Sequence, residues 1–406
     1  MKNLKFLLIS ITLSLMLFSA VSIAAQTTSV FTTGLNSPNR IITAGQNSLL
    51  VAESGTFTPN QGRVSMVNRE TGARQTLVDG LPSGISRSGG VAPSGPSALK
   101  FKDLKLYLTI GQGDAVVPRR LSGETFNLRP SSPLFDSVLE LTLPADYEQL
   151  TGNFTLAFAD QTALAGGSQI TLMNAQGKMM GMRVLANLPD WRYEGRPTII
   201  QPTVRPSNLY GIEMALGNLY VVDASFNQLY KINLATGAFE TFVVFPPRPN
   251  PLPFGPPVSE AVPDGIRLFG GKLLVSFLVG FPFAPNTADV RSVDLQTGQH
   301  QVFIGNLTSA IDVLPIGVPG DNDLFYTLEF TTNFLANPLP PGRLRLYTSP
   351  TATPIALASN LITPTSIARD ADSGDLFITE NFTGRIIRVA ASETALTETT
   401  EENLEQ

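Results

Sequence analysis

A short apolar strand that ends on a characteristic residue recurs along the chain, and this repeat constrains the fold more than any other feature. Four copies end on an acid and two on an apolar residue: LLVAE at Glu53, LYLTI at Ile110, LYVVD at Asp223, LLVSF at Phe277, FYTLE at Glu329 and LFITE at Glu380. Successive ends lie 57, 113, 54, 52 and 51 residues apart, so one interval is double the others. A period near 50 residues indicates that one structural unit is copied along the chain.

Each copy belongs to a longer unit with the pattern of four strands. A first strand precedes the copy, and Gly, Asn or Asp makes the turn between them, as in Leu216-Gly217-Asn218. A third and a fourth strand follow, as in GRVSMVN from Gly62 and RQTLVDGL from Arg74. Four short antiparallel strands at this period are typical of a propeller blade, and helical periodicity is nearly absent. The sequence predicts an all-β, six-bladed β-propeller, with a β-sandwich or a parallel β-helix as less favoured alternatives.

The double interval contains a long segment at about 114–166 that lacks a recognisable first strand and an apolar closing strand. It carries two strand-like runs, FDSVLELTL from Phe135 and FTLAF from Phe154. We interpret it as an insertion on the second blade, with QITLMNAQG from Gln169 and GMRVLANL from Gly181 as that blade's third and fourth strands. The alternative is a seventh blade hidden in the segment.

The two ends of the repeat region predict how the ring closes. TSVFTTGL from Thr28 is a lone fourth strand, and the last unit stops after its third strand at Val389. Since unpaired sheet edges invite aggregation, we expect these two strands to pair and seal the ring. The propeller domain would then span 26–391.

The termini and the composition add a location. Lys2 and Lys5 precede an apolar run and then small residues up to Ala25, so residues 1–25 are predicted to be a cleaved Sec signal peptide of a bacterial protein that is secreted or periplasmic. Residues 392–406 are polar and acidic and are predicted to be a disordered tail. The chain has no cysteine, which excludes disulfides and thiolate chemistry.

The charge pattern bears on partners. The formal net charge is −5, and Lys and Arg are scattered without a basic run, which disfavours nucleic acid. No apolar segment after the signal is long enough to cross a membrane without interruption. We therefore expect the partner to be a small molecule or an exported protein. We also expect the protein to be a monomer.

With the units laid out, the chain resembles the ScyD/ScyE family of exported β-propellers, which is related to NHL-repeat proteins and named for proteins linked to pigment production. The most specific match is LLVSFLVGFPFAP from Leu273 to Pro285; LYGIEMALGNLYVVDAS, FYTLEF and ITPTSIARDADSGDLFITENFTGRIIRV add support. The resemblance implies a propeller fold, export and a link to extracellular pigment or envelope processes. It assigns no catalytic residue. Phe277 stands where the family commonly has an acid, and the insertion is longer than the family pattern.

The acids that end four of the strands are the candidate metal ligands. Glu53, Asp223, Glu329 and Glu380 occupy equivalent positions, and the loops that leave second strands converge at one mouth of the channel. Four converging carboxylates would repel one another unless a cation compensated them, and oxygen ligands suit Ca²⁺, which is the candidate cofactor. The alternative is that each carboxylate caps backbone N–H groups of its own blade, since Ile110 and Phe277 interrupt the set and no calcium-loop motif is present.

Candidate ligand-binding residues come from the starts of the first strands and from aromatic loops. Asn39, Tyr210 and Asp264 stand at first-strand starts, while Phe281 and Phe283 lie in a Gly-Phe-Pro-Phe loop that could form an apolar wall. His300 is the only histidine, at the start of a presumed outer strand, so histidine-based catalysis has no residue in a channel. The sequence names no catalytic residue. It favours a binding or scaffold protein, with a Ca²⁺-dependent lactonase-like hydrolase or a lyase as the alternative.

Overall fold

Six antiparallel sheets form the body of the protein, as the repeat predicts. The computed structural model describes residues 26–87, 90–119, 123–194 and 204–391, and residues 26–391 form one compact unit. In blades 3, 4 and 5 the strands pair in chain order, because short turns or loops join successive strands, whereas the sheets of blades 1, 2 and 6 each include one strand from elsewhere in the chain order. The predicted signal segment and acidic tail lie outside the described residues.

The strands of the first three blades carry the repeat and the long segment. Blade 1 contains Pro38–Ala44, Ser48–Glu53, Gly62–Asn68 and Arg74–Leu81. Blade 2 contains Pro96–Lys102, Lys105–Ile110, Ser137–Thr142, Met179–Asn187 and Ile170–Met173. Blade 3 contains Leu209–Ala215, Asn218–Asp223, Gln228–Asn233 and Phe239–Val244.

The other three blades follow the same plan. Blade 4 contains Pro263–Phe269, Lys272–Phe277, Ala288–Asp294 and His300–Leu307. Blade 5 contains Ala310–Val318, Asp321–Glu329, Gly342–Tyr347 and Ile355–Leu361. Blade 6 contains Pro364–Arg369, Leu376–Glu380, Arg385–Val389 and Thr28–Thr32.

The first strands of the blades surround a central channel. Each first strand contacts the first strands of both neighbouring blades, and the contacts run from blade 1 to blade 6 and back to blade 1. Each second strand has an apolar central run, because each blade is sandwiched between two others and both of its faces are covered there. In Ser48–Glu53, for example, all six residues are buried. The structure is therefore a six-bladed β-propeller.

Ring closure occurs where the sequence predicts it. Thr28–Thr32 pairs antiparallel with Arg385–Val389, with Thr28 opposite Val389 and Val30 opposite Ile387. The Leu35 N–H also donates to the Gly384 carbonyl at 2.9 Å. The first strand in the sequence thus becomes the outer strand of the last blade and covers the edge of Arg385–Val389 that would otherwise be open.

Blade 2 departs from the prediction. Its third strand is Ser137–Thr142, inside the segment interpreted as an insertion, because this strand pairs with both Lys105–Ile110 and Met179–Asn187. The assignment of the run from Gln169 as the third strand is wrong: Ile170–Met173 is an extra fifth strand outside Met179–Asn187. The residues by which blade 2 exceeds the other blades lie in two segments, one before and one after its third strand.

The second of these parts covers the outer edge of blade 1. Phe154–Thr155 pairs in parallel with Arg74–Leu81, and the only α-helix among the described residues, Phe158–Ala165, follows it. A 3₁₀ turn at Tyr147–Gln149 precedes them. Gly80 permits the pairing, since a Cβ there would lie 2.3 Å from the Leu156 carbonyl oxygen.

Four small hairpins rise from the end of the ring where first strands begin and second strands end, which we call the top face. They are Gly84–Ser86 with Ala92–Ser94, Val116–Arg119 with Gly123–Phe126, Trp191–Tyr193 with Val204–Pro206, and Arg248–Pro249 with Val258–Ser259. The opposite face carries mostly tight turns. None of the helices in the described part of the chain has the length and apolar character needed to cross a membrane.

Candidate functional site

Each first strand begins with a β-bulge at the top face. The register shifts by one or two residues just after the strand starts in all six blades. The residues carried by the bulges are Asn39, Ser97, Tyr210, Asp264, Ile311 and Thr365. Because a bulge redirects a side chain out of the regular ladder, six different side chains surround the mouth of the channel.

A pocket of about 350 Å³ lies at this mouth. Bulge residues of four blades line it, together with residues that follow second strands, such as Ser54, Phe330 and Asn381. Its other polar residues are serines and amides, including Gln112 and Asn208, and among the residues that the structure describes no Lys, Arg, Asp or Glu belongs to the lining. The pocket is thus a neutral cavity with many hydroxyl and amide groups.

Half of the bulge side chains tie neighbouring blades together. The Asn39 amide donates to the Pro96 carbonyl at 3.3 Å, the Ser97 hydroxyl to the Leu209 carbonyl at 2.6 Å, and the Thr365 hydroxyl to the Pro38 carbonyl at 3.0 Å. These bonds link blades 6, 1, 2 and 3 in sequence. The corresponding side chains of blades 3, 4 and 5 make no such bond among the described residues.

Of the bulge residues in blades 3, 4 and 5, Tyr210 and Asp264 are the polar ones. The Asp264 carboxylate accepts a hydrogen bond from the Leu278 N–H at 3.1 Å, and burial raises the pKa of this carboxyl well above its usual range. Burial also raises the pKa of the Tyr210 phenol, and the Asp264 charge adds to the rise. Gly211 allows the two blades to approach, because a Cβ there would lie 2.2 Å from the Asp264 carbonyl oxygen. Tyr210 therefore stays a neutral hydroxyl at the pocket wall.

The predicted ligand-binding residues are distributed unevenly about the pocket. Asn39 and Tyr210 line it, whereas Asp264 lies beside Tyr210 and is only 4% exposed. Phe281 and Phe283 follow the second strand of blade 4 and do not line the pocket directly. Their role in ligand binding stays a prediction.

A column of phenylalanine rings connects that loop with the pocket. Phe283 stacks on Phe334 with centroids 4.6 Å apart, and Phe334 stacks on Phe330 at 5.4 Å with an interplanar angle of 11°. Phe281 meets Phe283 edge to face at 6.1 Å. Phe330, the last ring of this phenylalanine column (Phe283, Phe334 and Phe330), lines the pocket. Sequence reasoning found the loop but missed Phe330 and Phe334, which follow the second strand of the next blade.

Three of the four repeated acids are paired with arginine inside their own blades. Glu53 accepts from Arg63 at 2.8 Å, Glu329 from Arg343 at 3.2 Å, and Glu380 from the Arg385 guanidinium. All three carboxylates are fully buried. Each arginine opens the third strand of the blade, so the pair joins the end of one strand to the start of the next.

Each of the four acids also holds the chain just before its own first strand. Backbone N–H groups of Asn36, Asn208, Thr308 and Ile362 donate to Glu53, Asp223, Glu329 and Glu380, in that order. Asp223, which lacks an arginine in hydrogen-bonding contact, accepts from the Phe226 N–H at 2.8 Å and the Ser207 hydroxyl at 2.7 Å instead. Burial raises the pKa of Asp223, and these bonds oppose the rise.

The acids therefore lie in four separate sheets, each engaged in its own blade. No group of three or more His, Asp or Glu residues in the described ranges could hold a metal ion. These contacts match the alternative in which each carboxylate caps its own blade. They anchor the loops that shape the top face, and the Ca²⁺ site stays a prediction that no cluster in the described residues supports.

The two blades without an acid lack its arginine as well. In blade 2, Ile110 lies near a third strand that begins at Ser137 in place of arginine. In blade 4, Phe277 is covered by Arg248, whose guanidinium carbon lies 4.6 Å from the ring centroid, and Arg248 pairs with Asp289 at 2.7 Å. A cation over an aromatic face thus replaces the acid and arginine pair there.

Beyond the bulges, ion pairs fill the channel. Asp312 of blade 5 accepts from Arg40 of blade 1 at 2.8 Å and from Arg267 of blade 4 at 2.7 Å. It also accepts from Ser366 and from the Ile367 N–H of blade 6, at 3.1 Å each. Lys100 pairs with Glu213 on the neighbouring side. The pocket is thus backed by a buried polar layer that joins four blades.

His300 begins the outer strand of blade 4, as expected, and is half-buried. Its Nδ1 lies 3.3 Å from an Arg291 guanidinium nitrogen, and its ring packs 5.1 Å from that of Phe245. Burial lowers its pKa, and the Arg291 charge lowers it further. The residue lies away from the pocket lining.

Asp136 is a buried acid that neither the repeat nor the pocket explains. It precedes the third strand of blade 2 with φ 50°, is fully buried, and neither carboxylate oxygen has a hydrogen-bond partner among the described residues. Burial raises its pKa well above the usual range, and the charges of Asp223 and Asp190 add to the rise. Asn227 occupies the corresponding position of blade 3 with φ 55°.

We expect Asp136→Asn to stabilise the protein at alkaline pH. A carboxyl whose folded pKa exceeds its unfolded pKa makes the wild type lose stability as pH rises from the unfolded value towards the folded one. Asparagine does not ionise, so it removes that loss, and the gain over wild type grows as pH rises. Thermal unfolding at pH 4, 6 and 8 should show a gap that widens with pH. A gap of constant size, or one that narrows, would contradict the assignment; Asp146→Asn on the surface is the control.

Six radial sheets, with the last blade completed by the N-terminal strand, define a six-bladed β-propeller with a pocket at the mouth of its channel. No known family matches the sequence, and no curated protein is significantly similar to it. The chain is similar in structure to a Bacteroides thetaiotaomicron protein of unknown function, with 12% identity, TM-score 0.48, and coverage of 90% of this chain and 76% of that one.

Two other solved structures are similar over nearly their whole length. One is a calcium-binding protein, regucalcin, from Agrobacterium tumefaciens, with 11% identity, TM-score 0.47, and coverage of 90% and 93%. The other is a gluconolactonase from Xanthomonas campestris, with 11% identity, TM-score 0.47, and coverage of 91% and 92%. At these identities and scores we transfer neither ligand nor activity from them to this chain.

Proposed function

We propose that this protein is an exported β-propeller binding protein that holds a small neutral ligand in the pocket at the channel mouth. The observation that carries the proposal is the pocket itself: about 350 Å³, lined by hydroxyl and amide groups from several blades, with no Lys, Arg, Asp or Glu among its described lining residues. Ligand pockets typically occupy ~300–1,000 Å³ and place a few polar groups among apolar ones. A hydrolase would need free carboxylates near the mouth, whereas the four repeated acids form ion pairs or hydrogen bonds within their own blades.

The surroundings of the pocket support the same role. Hairpins and aromatic loops are concentrated on the top face, and function is commonly carried by loops that a rigid scaffold positions. The resemblance to ScyD/ScyE proteins and the signal peptide predicted at 1–25 support export to the periplasm or the medium and a link to extracellular pigment or envelope processes. A monomer suffices, because the pocket is complete within one chain.

The test is capture of a ligand by wild-type protein and by a variant with an obstructed mouth. Val91 lines the pocket and is 62% exposed, so Val91→Trp should narrow the opening without disturbing the core. Val302→Trp, on the outer strand of blade 4, is the matched control, since Val302 is 53% exposed and distant from the mouth. Both proteins and the wild type are incubated with envelope and culture extracts, and retained small molecules are identified by mass spectrometry.

We expect at least one compound that wild type and Val302→Trp retain and that Val91→Trp loses. Equal retention by all three proteins, or retention by none, would contradict the proposal. Calcium-dependent hydrolysis of a lactone that Glu53→Gln abolishes would favour the enzymatic alternative instead.

A further inference from the structure

Two polar side chains in the pocket wall have unused hydrogen-bonding capacity. Asn208 and Tyr210 both line the pocket, and neither side chain makes a hydrogen bond within the described residues. Asn208 is nonetheless held in place, because its N–H donates to Asp223 at 3.1 Å and its carbonyl accepts from the Ala224 N–H at 2.9 Å. A fixed backbone with a free amide is preorganised to bind a hydroxyl-bearing ligand.

Other polar groups in the lining are already engaged. The Asn39 amide, the Ser54 hydroxyl and the Asn381 amide bond to one another and to backbone carbonyls. Ligand hydroxyls can still approach their remaining lone pairs, since hydroxyl and amide oxygens accept more than one bond. A ligand in the pocket would therefore meet two kinds of polar group. Asn208 and Tyr210 have unused hydrogen-bonding capacity, while Asn39, Ser54 and Asn381 are already held in place by bonds to the protein.

Phe330 supplies an apolar surface at the same pocket. It is the terminal ring of the phenylalanine column, and Phe334 supports it from behind at 5.4 Å. A ring fixed by stacking loses little freedom when a ligand packs against it. The C–H face of a sugar ring packs on such an aromatic surface, while its hydroxyls reach the polar groups at its edge.

From these three features we infer that the pocket binds a neutral sugar residue, packed on Phe330 and hydrogen-bonded by Asn208 and Tyr210. The inference rests on the proposed binding function and names its ligand class. A sugar accounts for the density of hydroxyl and amide groups, which a planar phenol would leave largely unused. An acidic sugar finds no cationic partner in the described part of the lining, and the nearby Arg40 is buried and bound to Asp312.

The experiment is calorimetric titration with three kinds of probe. The first is a panel of neutral sugars, comprising glucose, galactose and mannose as methyl glycosides together with neutral oligosaccharides built from them. The second is glucuronate, and the third is 4-methylphenol. Binding to wild type is compared with Asn208→Ala, Tyr210→Phe and Phe330→Ala. Phe158→Ala, which removes a 57% exposed ring from the helix on blade 1, is the aromatic control.

We expect at least one neutral sugar to bind, and glucuronate to bind at least tenfold more weakly than glucose. Asn208→Ala and Phe330→Ala should each lower the affinity about tenfold, which corresponds to ~1.4 kcal/mol. Tyr210→Phe should lower it several-fold, and Phe158→Ala should leave it unchanged. Because Tyr210→Phe and Asn208→Ala change few packing atoms, they test the inference even if Phe330→Ala folds poorly.

The outcomes separate this inference from the proposed function. Binding of 4-methylphenol but of no sugar, with loss in the pocket variants, would overturn the sugar assignment and leave the binding function intact. The same holds if no probe binds while extract capture still depends on Val91. If neither the probes nor the extracts give a ligand that depends on the pocket, both proposals fail.

Discussion

Asp312→Ala is expected to lower the free energy of unfolding by ~3–5 kcal/mol, the range found when one partner of a buried ion pair is removed. Asp312 is fully buried and compensates two guanidiniums, those of Arg40 and Arg267, from two other blades. Alanine would leave both charges in a channel where Arg40 is only 2% exposed. Denaturant unfolding followed by Trp191 fluorescence and by circular dichroism measures the change.

Two further variants make this expectation specific. Asp146 and Lys178 form an ion pair at the surface, where solvent screens the charges, so Asp146→Ala should leave the unfolding midpoint unchanged. Combining Asp312→Leu with Arg40→Met and Arg267→Met should recover much of the loss, because an apolar set replaces the buried charges. A loss below ~1 kcal/mol in Asp312→Ala would show that water compensates the arginines.

Gly384→Ala is expected to cost about 2–5 kcal/mol, since it combines a left-handed backbone with an overlap at the closure of the ring. Gly384 has φ +61°, and a Cβ there would lie 2.2 Å from the Leu35 carbonyl oxygen, so the two chain segments would have to separate. Those segments hold each other through the Leu35 N–H and the pairing of Thr28–Thr32 with Arg385–Val389. Thermal and denaturant unfolding measure the loss.

Gly217→Ala is the matched control for the closure variant. Gly217 has φ +74° in an exposed hairpin turn, and no atom lies within 4 Å of the position that its Cβ would take. Both variants bear the cost of a left-handed alanine, roughly 1–2 kcal/mol, so their difference isolates the closure. Equal losses in the two proteins would show that the overlap relaxes and that the closure does not limit stability.

The sequence predicts the blades well because each blade is built from contacts close in the chain. The strand LFITE ending at Glu380, its hairpin partner and the strand after it fall within 30 residues, and turn residues mark each junction. The closure was also predictable, since the lone strand at Thr28 has no blade of its own and the last blade lacks a fourth strand. Blade 2 was misassigned because its third strand, Ser137–Thr142, opens without the Gly-Arg that opens this strand in blades 1, 5 and 6.

That same dipeptide could have shown what the repeated acids do. Glu53, Glu329 and Glu380 are each followed by a Gly-Arg at the next strand, and the two acid-free blades lack it. This co-occurrence within one chain indicates an internal ion pair more directly than it indicates a metal site. The sequence does not show the pairing of Arg40 with Asp312, because 272 residues separate them and only the ring geometry brings them together.

The pocket was predictable only in part. Asn39 and Tyr210 were found because they stand at equivalent places in the repeat. Phe330 and Asn208 escaped because their importance depends on contacts that the repeat pattern does not reveal: Phe334 and Phe283 support one, and Asp223 fixes the other. The repeat sets the positions of the side chains around the mouth, whereas the differences among the repeats set which chemical groups line the pocket.

The seam between Thr28–Thr32 and Arg385–Val389 also sets the order of events during synthesis. A ribosome makes the N-terminal strand first, yet its only lateral partner emerges last, after every other blade has been translated. Blades 1 to 5 can assemble as an open arc, but the circle cannot be completed on a nascent chain that still lacks its final strand. The stabilisation that closure gives to blades 1 and 6 is therefore gained only once Arg385–Val389 is free to pair with Thr28–Thr32.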